Sequence, residues 1–203
     1  MKAMNYQFRL IDSQLQDQIV KLRKEVFQRK YGTLVDVKGL EWNRTDQFGT
    51  HIAAYNQDEL VSILRLSYID TADTFEKLLQ FPPDHPFSNY PSFCLSRAAT
   101  SPAVEGKNLN MALRLLAFRL VLKSPKPSQF IYGTTMANSK RIQMLKDLGY
   151  EVEIHKNAWR GYLSSGDKPI AIFRLPREKL SDAIAYLSNT YTSSELIKIK
   201  LES

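Results

Sequence analysis

Phe130-Ile-Tyr-Gly-Thr-Thr-Met-Ala-Asn138-Ser-Lys-Arg-Ile-Gln-Met-Leu-Lys-Asp-Leu148-Gly149-Tyr150 is the stretch whose reading decides the fold. Phe130–Thr135 is rich in aromatic and β-branched residues, the composition of a strand. Asn138 then opens an amphipathic helix that Gly149 stops, because glycine takes the backbone conformation that ends helices without strain. Tyr150–Ile154 returns as a strand, Lys168–Phe173 follows as another, and the tail from Arg177 reads as helical.

Working outward, Ser124-Pro-Lys-Pro127 breaks a preceding helix, Leu109–Leu122, which is apolar nearly all round and so expected to be buried. Its polar positions form two short stripes, Asn110 with Arg114 and Arg119 with Lys123. Phe93–Thr100 is a strand closed by Ser101-Pro102, after a short helix at Thr74–Leu79 and a loop that Pro82, Pro83, Pro86 and Pro91 keep irregular. His51–Tyr55 and Leu60–Leu66 flank four polar residues and predict a β-hairpin. Residues 33–50 are polar and irregular. Before them Leu15, Ile19, Leu22 and Val26 share one helix face, for which Ser13 and Gln16 offer a capping box, and Tyr6–Leu10 is extended. Helices alternating with strands and hairpins predict an α/β (α+β) domain, a mixed sheet covered by helices.

The chain has 203 residues, 43% of them hydrophobic, which suits one domain and is short for two. Twenty-eight Lys and Arg against 21 Asp and Glu give a net charge of +7, a surface that favours acidic partners. One cysteine, Cys94, excludes an internal disulfide and favours a reducing compartment. The greasiest stretch, Val104–Leu122, is interrupted by Glu105, Lys107, Arg114 and Arg119, so no membrane insertion is expected. With no secretory pattern at the N-terminus, the expectation is a cytoplasmic protein. Zinc spacing, an RNP-like aromatic motif and a helix-turn-helix are absent, which argues against a nucleic-acid partner.

Residues 93–122 and 130–150, with the hairpin before them, follow an order that resembles the GNAT acyltransferase fold over about residues 10–175. The helical tail, 176–203, completes one domain spanning residues 1–203. Four short patterns carry a narrower resemblance: Arg23-Lys-Glu-Val-Phe27, Glu41-Trp-Asn-Arg-Thr-Asp46, Leu64-Arg65-Leu66 and Ser96-Arg97. They are similar to the acyl-homoserine-lactone synthases and the related N-acyl amino acid synthases. Those enzymes take a fatty acyl group from acyl carrier protein. Two acidic positions of the lactone synthases differ here, with Asn43 in place of Asp and Cys94 in place of Glu.

The resemblance implies a mostly antiparallel sheet and an N-acyltransferase that needs no metal or redox cofactor. Its donor would be the acyl-phosphopantetheine of an acidic acyl carrier protein and its acceptor a small amino acid. Glu41, Asp46, Arg65 and Arg97 become candidate catalytic residues, with His51 or a water chain as further candidates for the base. Arg23, Phe27, Trp42, Ser96, Ala98, Thr100 and Thr134 would surround the acceptor. Gly106, Asn108 and Asn110, at the start of the buried helix, would hold the donor arm. Leu115, Phe118 and Phe130 would wall a slot for the acyl chain.

Glu105-Gly-Lys-Asn-Leu-Asn110 lacks the small residues that let a loop cradle a pyrophosphate, which weakens a coenzyme A reading. The Tyr that many GNAT enzymes use toward the leaving thiol aligns with Leu145. Arg23, Arg65 and Arg97 with Glu41 and Asp46 would orient loop 33–50, fork a substrate carboxylate, or serve as structural salt bridges. Lys21, Arg23, Lys24, Arg29 and Lys30, with Lys107, Arg114, Arg119, Lys123 and Lys126 beyond the first helix, make a basic surface that suits carrier protein. Tyr31, Trp42 and Phe48 point to an aromatic acceptor such as tyrosine. The readings rank as N-acyl amino acid synthase, then lactone synthase, then coenzyme-A-dependent acetyltransferase, then non-catalytic basic binding domain.

Overall fold

A computed structural model describes residues 6–11, 13–32, 35–155 and 169–190. Seven strands form one sheet: β1 (Tyr6–Ile11), β2 (Thr50–Asn56), β3 (Glu59–Ile69), β4 (Ser92–Thr100), β5 (Phe130–Met136), β6 (Glu151–His155) and β7 (Ile170–Pro176). Their order is β1-β2-β3-β4-β5-β7-β6, and every neighbouring pair is antiparallel except β4–β5. The helices are α1 (Gln16–Tyr31), α2 (Arg44–Gln47), α3 (Ala72–Leu79), α4 (Leu109–Lys123), α5 (Arg141–Asp147) and α6 (Leu180–Thr190). This is the mixed, mostly antiparallel sheet flanked by helices that the sequence predicts. Of the expected helical tail, Leu180–Thr190 is helix, and 191–203 lie outside the described residues, as does Lys168 of the expected final strand.

Alternation along the strands sends neighbouring side chains to opposite faces. Ala54, Leu64, Leu66, Phe93, Leu95 and Phe173 pack under α4, α5 and α6. Ala53, Tyr55, Ile63 and Ala99 pack under α1 on the other face, where α3 also docks through Phe75 and Leu79. α4 is buried along most of its length, as its all-round apolar pattern predicts.

Two local readings need correction. The capping box expected at Ser13 is not the one used. α1 is preceded by a 3-10 turn at Ser13–Leu15, and its N-cap, Leu15, makes no side-chain cap. The capping box forms instead at Asn43. Its side chain accepts from the N–H groups of Thr45 and Asp46, while Asp46 accepts from the Asn43 N–H at 3.3 Å. This cap folds the expected irregular loop into α2 and turns Asp46 inward.

Two features open the centre of the sheet. Arg65 pairs with Ser96 but Ile63 pairs with Ala99, so β4 bulges by one residue, and Arg97 within the bulge has φ 56°. The parallel ladder between β4 and β5 is limited to Phe93–Ile131 and Cys94–Tyr132. Past that point the strands diverge and leave the β5 side of Ser96–Thr100 without a ladder partner.

Candidate active site

A cavity of about 730 Å³ occupies this divergence. On the α1 side Phe27, Thr45, Arg65 and Ser96 border it, and on the α4 side Met111, Arg114, Leu145 and Phe173 do so. It therefore crosses the sheet between β4 and β5. Gly133 makes room for the Phe173 ring that borders the cavity: a Cβ there would fall 2.5 Å from that ring and 3.1 Å from the Leu95 carbonyl oxygen.

The α1 side is organised around Asp46, which is buried together with Arg23, Arg65 and His51. Arg23 Nη2 and Arg65 Nη1 both donate to Asp46 Oδ1 at 2.8 Å. Arg65 also donates to Thr45 Oγ1 at 2.8 Å and, through Nε, to Ser96 Oγ at 3.0 Å. His51 Nε2 lies 3.4 Å from Arg23 Nη2 and 3.5 Å from Asp46 Oδ1, with the Trp42 ring 4.9 Å from its own. Gly49 admits the stem of Arg65, since a Cβ there would sit 2.7 Å from Arg65 Cγ.

Burial alone would raise the Asp46 pKa. Hydrogen bonds from His51 and Arg23 and the charges of Arg23 and Arg65 win, and hold it well below the ordinary carboxylate range. Burial lowers the His51 pKa; Asp46 pulls the other way, and the Arg23 and Arg65 charges add to the lowering, so His51 stays neutral. Burial likewise pushes the Cys94 thiol up to about 11, so that position carries no charge where the lactone synthases carry a Glu.

The expected five-member charge network is therefore smaller than the sequence reading implies. Glu41, expected in the site, lies on the surface, pairs with Lys24 and does not border the cavity. Asp46 and Arg23 stand behind Arg65 and also do not border the cavity, so Asp46 touches it only through its hydrogen bond from Arg65. Arg97 borders the cavity and donates to the Gly39 carbonyl oxygen, which ties the loop before α2 to the bulge. Phe27, Ser96, Ala98, Thr100 and Thr134 border the cavity as expected, whereas Trp42 packs on His51 away from it. Phe48 is 75% exposed, so of the three aromatic side chains taken to favour an aromatic acceptor only Tyr31 lines the cavity.

Gly106, Asn108 and Asn110 line the α4 end of the cavity, where the first N–H groups of α4 have no helical partner. Asn108 and Gly106 both have positive φ, 56° and 83°, and shape the turn into the helix. Glu105 is exposed there and is the one carboxylate among the described lining residues. The residues expected to wall an acyl slot do not border the cavity. Leu115 and Phe118 are packed into the core beneath the sheet, Phe130 stacks on Arg174, and none of the three borders the cavity. α4 turns its Asn110–Met111–Arg114 stripe to the cavity instead, which leaves Leu115 and Phe118 facing α6 and the sheet.

Arg114 is the largest departure. Expected as part of the basic surface, it is 6% exposed and borders the cavity. Arg141, Thr135 and Met136 also line it without having been singled out. The signal for Arg114 was present: Arg119 and Lys123 share a stripe at the exposed end of α4, whereas Arg114 lies among apolar residues in its middle and has no solvated face to occupy.

Outside the cavity, His85, Glu153 and His155 place their ligand atoms within 4.8 Å of one another. The Phe87 N–H donates to His85 Nδ1, which puts the His85 proton on Nε2, facing Glu153. Glu153 Oε1 lies 3.6 Å from His85 Nε2 and 2.9 Å from His155 Nε2, and the His85 Nδ1 lone pair is already used. No described helix is long and apolar enough to cross a membrane.

The strand order, the bulge in β4, the single splayed parallel pair and a helix starting at the mouth of the gap define the GNAT acyltransferase fold. No protein-family model and no curated protein sequence matches the chain. Solved structures do. A CoA-dependent acyl-homoserine lactone synthase, BjaI, with SAM and isopentyl-CoA, superposes with a TM-score of 0.64 at 14% identity, over 98% of this chain and 95% of that one. The AHL synthase LasI gives 0.60 at 17% identity, over 90% and 95%. The ribosomal-protein-S18-alanine N-acetyltransferase from Escherichia coli gives 0.58 at 11% identity, over 84% and 93%.

Proposed function

We propose that the chain is an N-acyltransferase that moves a fatty acyl group from the phosphopantetheine thioester of acyl carrier protein to the amino group of an amino acid. The observation that carries this reading is the cavity through the β4–β5 gap, which joins the N-terminus of α4 to the Arg65–Ser96 wall on the opposite face. A thioester arm entering beside Asn108 and Asn110 would bring its carbonyl into the gap, and an amine would meet it from the α1 side. Attack forms the N–C bond. N–H groups of the Ser96–Thr100 backbone that turn to the gap would stabilise the developing oxyanion, and the C–S bond then breaks to release a thiolate. With Leu145 buried where relatives place a Tyr, and no carboxylate but the exposed Glu105 among the described lining residues, the ammonium proton leaves to water.

Exposed Lys21, Arg29 and Lys30 present positive charge to an acidic carrier protein. Arg97 and Arg65 at the acceptor wall suit a carboxylate. The lactone synthase reading has one observation in its favour, the near-complete coverage shared with BjaI and LasI. Against it, Asn43 is committed to capping α2 and Cys94 is a buried neutral thiol, so neither place offers a carboxylate to a sulfonium.

The test supplies matched acyl carrier protein and acyl-coenzyme A donors with equimolar S-adenosylmethionine and mixed amino acids. The expected product, read by mass spectrometry, is an N-acyl amino acid with a free carboxylate, formed faster from carrier protein. Methylthioadenosine released with an acyl lactone overturns the acceptor assignment. Equal or faster turnover of acyl-coenzyme A overturns the donor assignment.

A further inference from the structure

Arg114 is a buried cation without a buried anion. Its Nη1 donates to the Tyr150 hydroxyl at 2.9 Å, and its guanidinium carbon lies 5.8 Å from the Tyr150 ring centre. Its Nε is buried and has no hydrogen-bond partner. No carboxylate among the described residues lies within ion-pair distance of it, and one helical turn toward the mouth the Asn110 Oδ1 is also buried and unpartnered. A phenol satisfies one N–H and neutralises no charge; a guanidinium kept this dry ordinarily has a carboxylate or phosphate beside it.

The site has a second cation. Arg141, at the first position of α5, borders the same cavity, and its charge and that of Arg114 repel across it. Two like charges facing one empty volume are disfavoured until an anion enters between them. Both belong to the α4–α5 side of the sheet, opposite the Asp46 cluster, and this is the side at which the donor arm enters in the function proposed above.

We propose that Arg114 and Arg141 form an anion subsite for the acyl donor, which accepts a carboxylate or phosphate oxygen group carried on the thioester. This inference rests on the proposed function for the identity of the ligand. Two sources share the chemistry: the phosphate of the pantetheine arm, and an acid group at the far end of a dicarboxylic acyl chain. A plain alkyl group satisfies neither the Arg114 Nε nor the charge.

Calorimetric titration of three thioesters separates the sources: hexanoyl-pantetheine, hexanoyl-4′-phosphopantetheine and adipoyl-pantetheine. At least one of the two anionic thioesters should bind the wild-type protein tenfold or more tightly than hexanoyl-pantetheine. Which one gains identifies the source. Arg114→Gln, which keeps a donor for Tyr150, should abolish the gain, and Arg141→Gln should reduce it. If Arg114→Gln does not fold, the exposed Arg141→Gln carries the test with the same reading. A gain below tenfold for both anionic thioesters, or one that survives the substitutions, overturns the subsite while leaving the proposed function standing. Failure of all three thioesters to bind overturns the proposed function and this inference together.

Discussion

The two faces of the sheet bury arginine in opposite ways. Beneath α1, Arg23 and Arg65 share the carboxylate of Asp46, and Thr45, Ser96 and His51 occupy the space around them. Beneath α4, Arg114 has a phenol and nothing charged. The first arrangement holds its counter-charge within the chain, though Arg23 Nε and Nη1 are buried without a hydrogen-bond partner; it fixes α2, threads Arg65 past Gly49 and sets Ser96 at the cavity wall. The second is complete only with something bound. Buried charge thus marks a structural device on one face and a ligand-dependent one on the other, and the partner list distinguishes them.

Stability measurements break or sharpen this contrast. Asp46→Ala leaves two buried guanidiniums without their anion. Loss of one member of such a buried set costs about 3–5 kcal/mol, read as a lower midpoint in urea unfolding. A cost near zero would mean the α1-side charges are no more self-sufficient than Arg114.

Acid should expose the same cluster in two stages. His51 is held neutral when folded but takes a proton near pH 6.5 when unfolded, so stability is lost as pH falls below about 6.5. Asp46 stays ionised when folded to well below its ordinary value of 3.8. Its contribution is therefore full above that pH and is lost as pH falls further. Unfolding free energy measured across this range should lose its upper stage in His51→Gln and keep the lower one.

The smallest effect belongs to the other face. Replacing Arg114 by Met and Tyr150 by Phe together removes a charge without a counter-ion among the described residues, and the phenol it bonds, with little change of volume. Its stability should stay within about 1 kcal/mol of wild type in the absence of ligand, because apolar isosteres of buried charges are often neutral or better.

The sequence made the layers legible because periodicity reports burial directly. The β2–β3 hairpin and the all-round apolar α4 stand where their patterns predict, whereas the helix after β5 ends before Gly149 as expected but begins at Arg141, with Lys140 and not Asn138 as its N-cap. Choices between equivalent local signals were not legible. Ser13 heads a capping pattern that α1 does not use, while Asn43, within the stretch read as irregular, caps α2. Glu41 and Asp46 lie five residues apart on one loop. Only the α2 turn decides that Asp46 meets the arginines while Glu41 meets Lys24 at the surface. The acyl slot was misplaced for a related reason. An apolar helix shows that it is buried but not which stripe faces a void, and the cavity takes the stripe that carries Asn110 and Arg114.

The central claim is that donor and acceptor approach the β4–β5 gap from opposite faces of the sheet. A crystal structure with hexanoyl-4′-phosphopantetheine tests it most directly. The arm should lie between α4 and α5, beside Asn110, with the thioester carbonyl in the gap between Ser96 and Thr134. An arm bound on the α1 side, against Arg65 and Phe27 with the α4 side empty, would contradict the account.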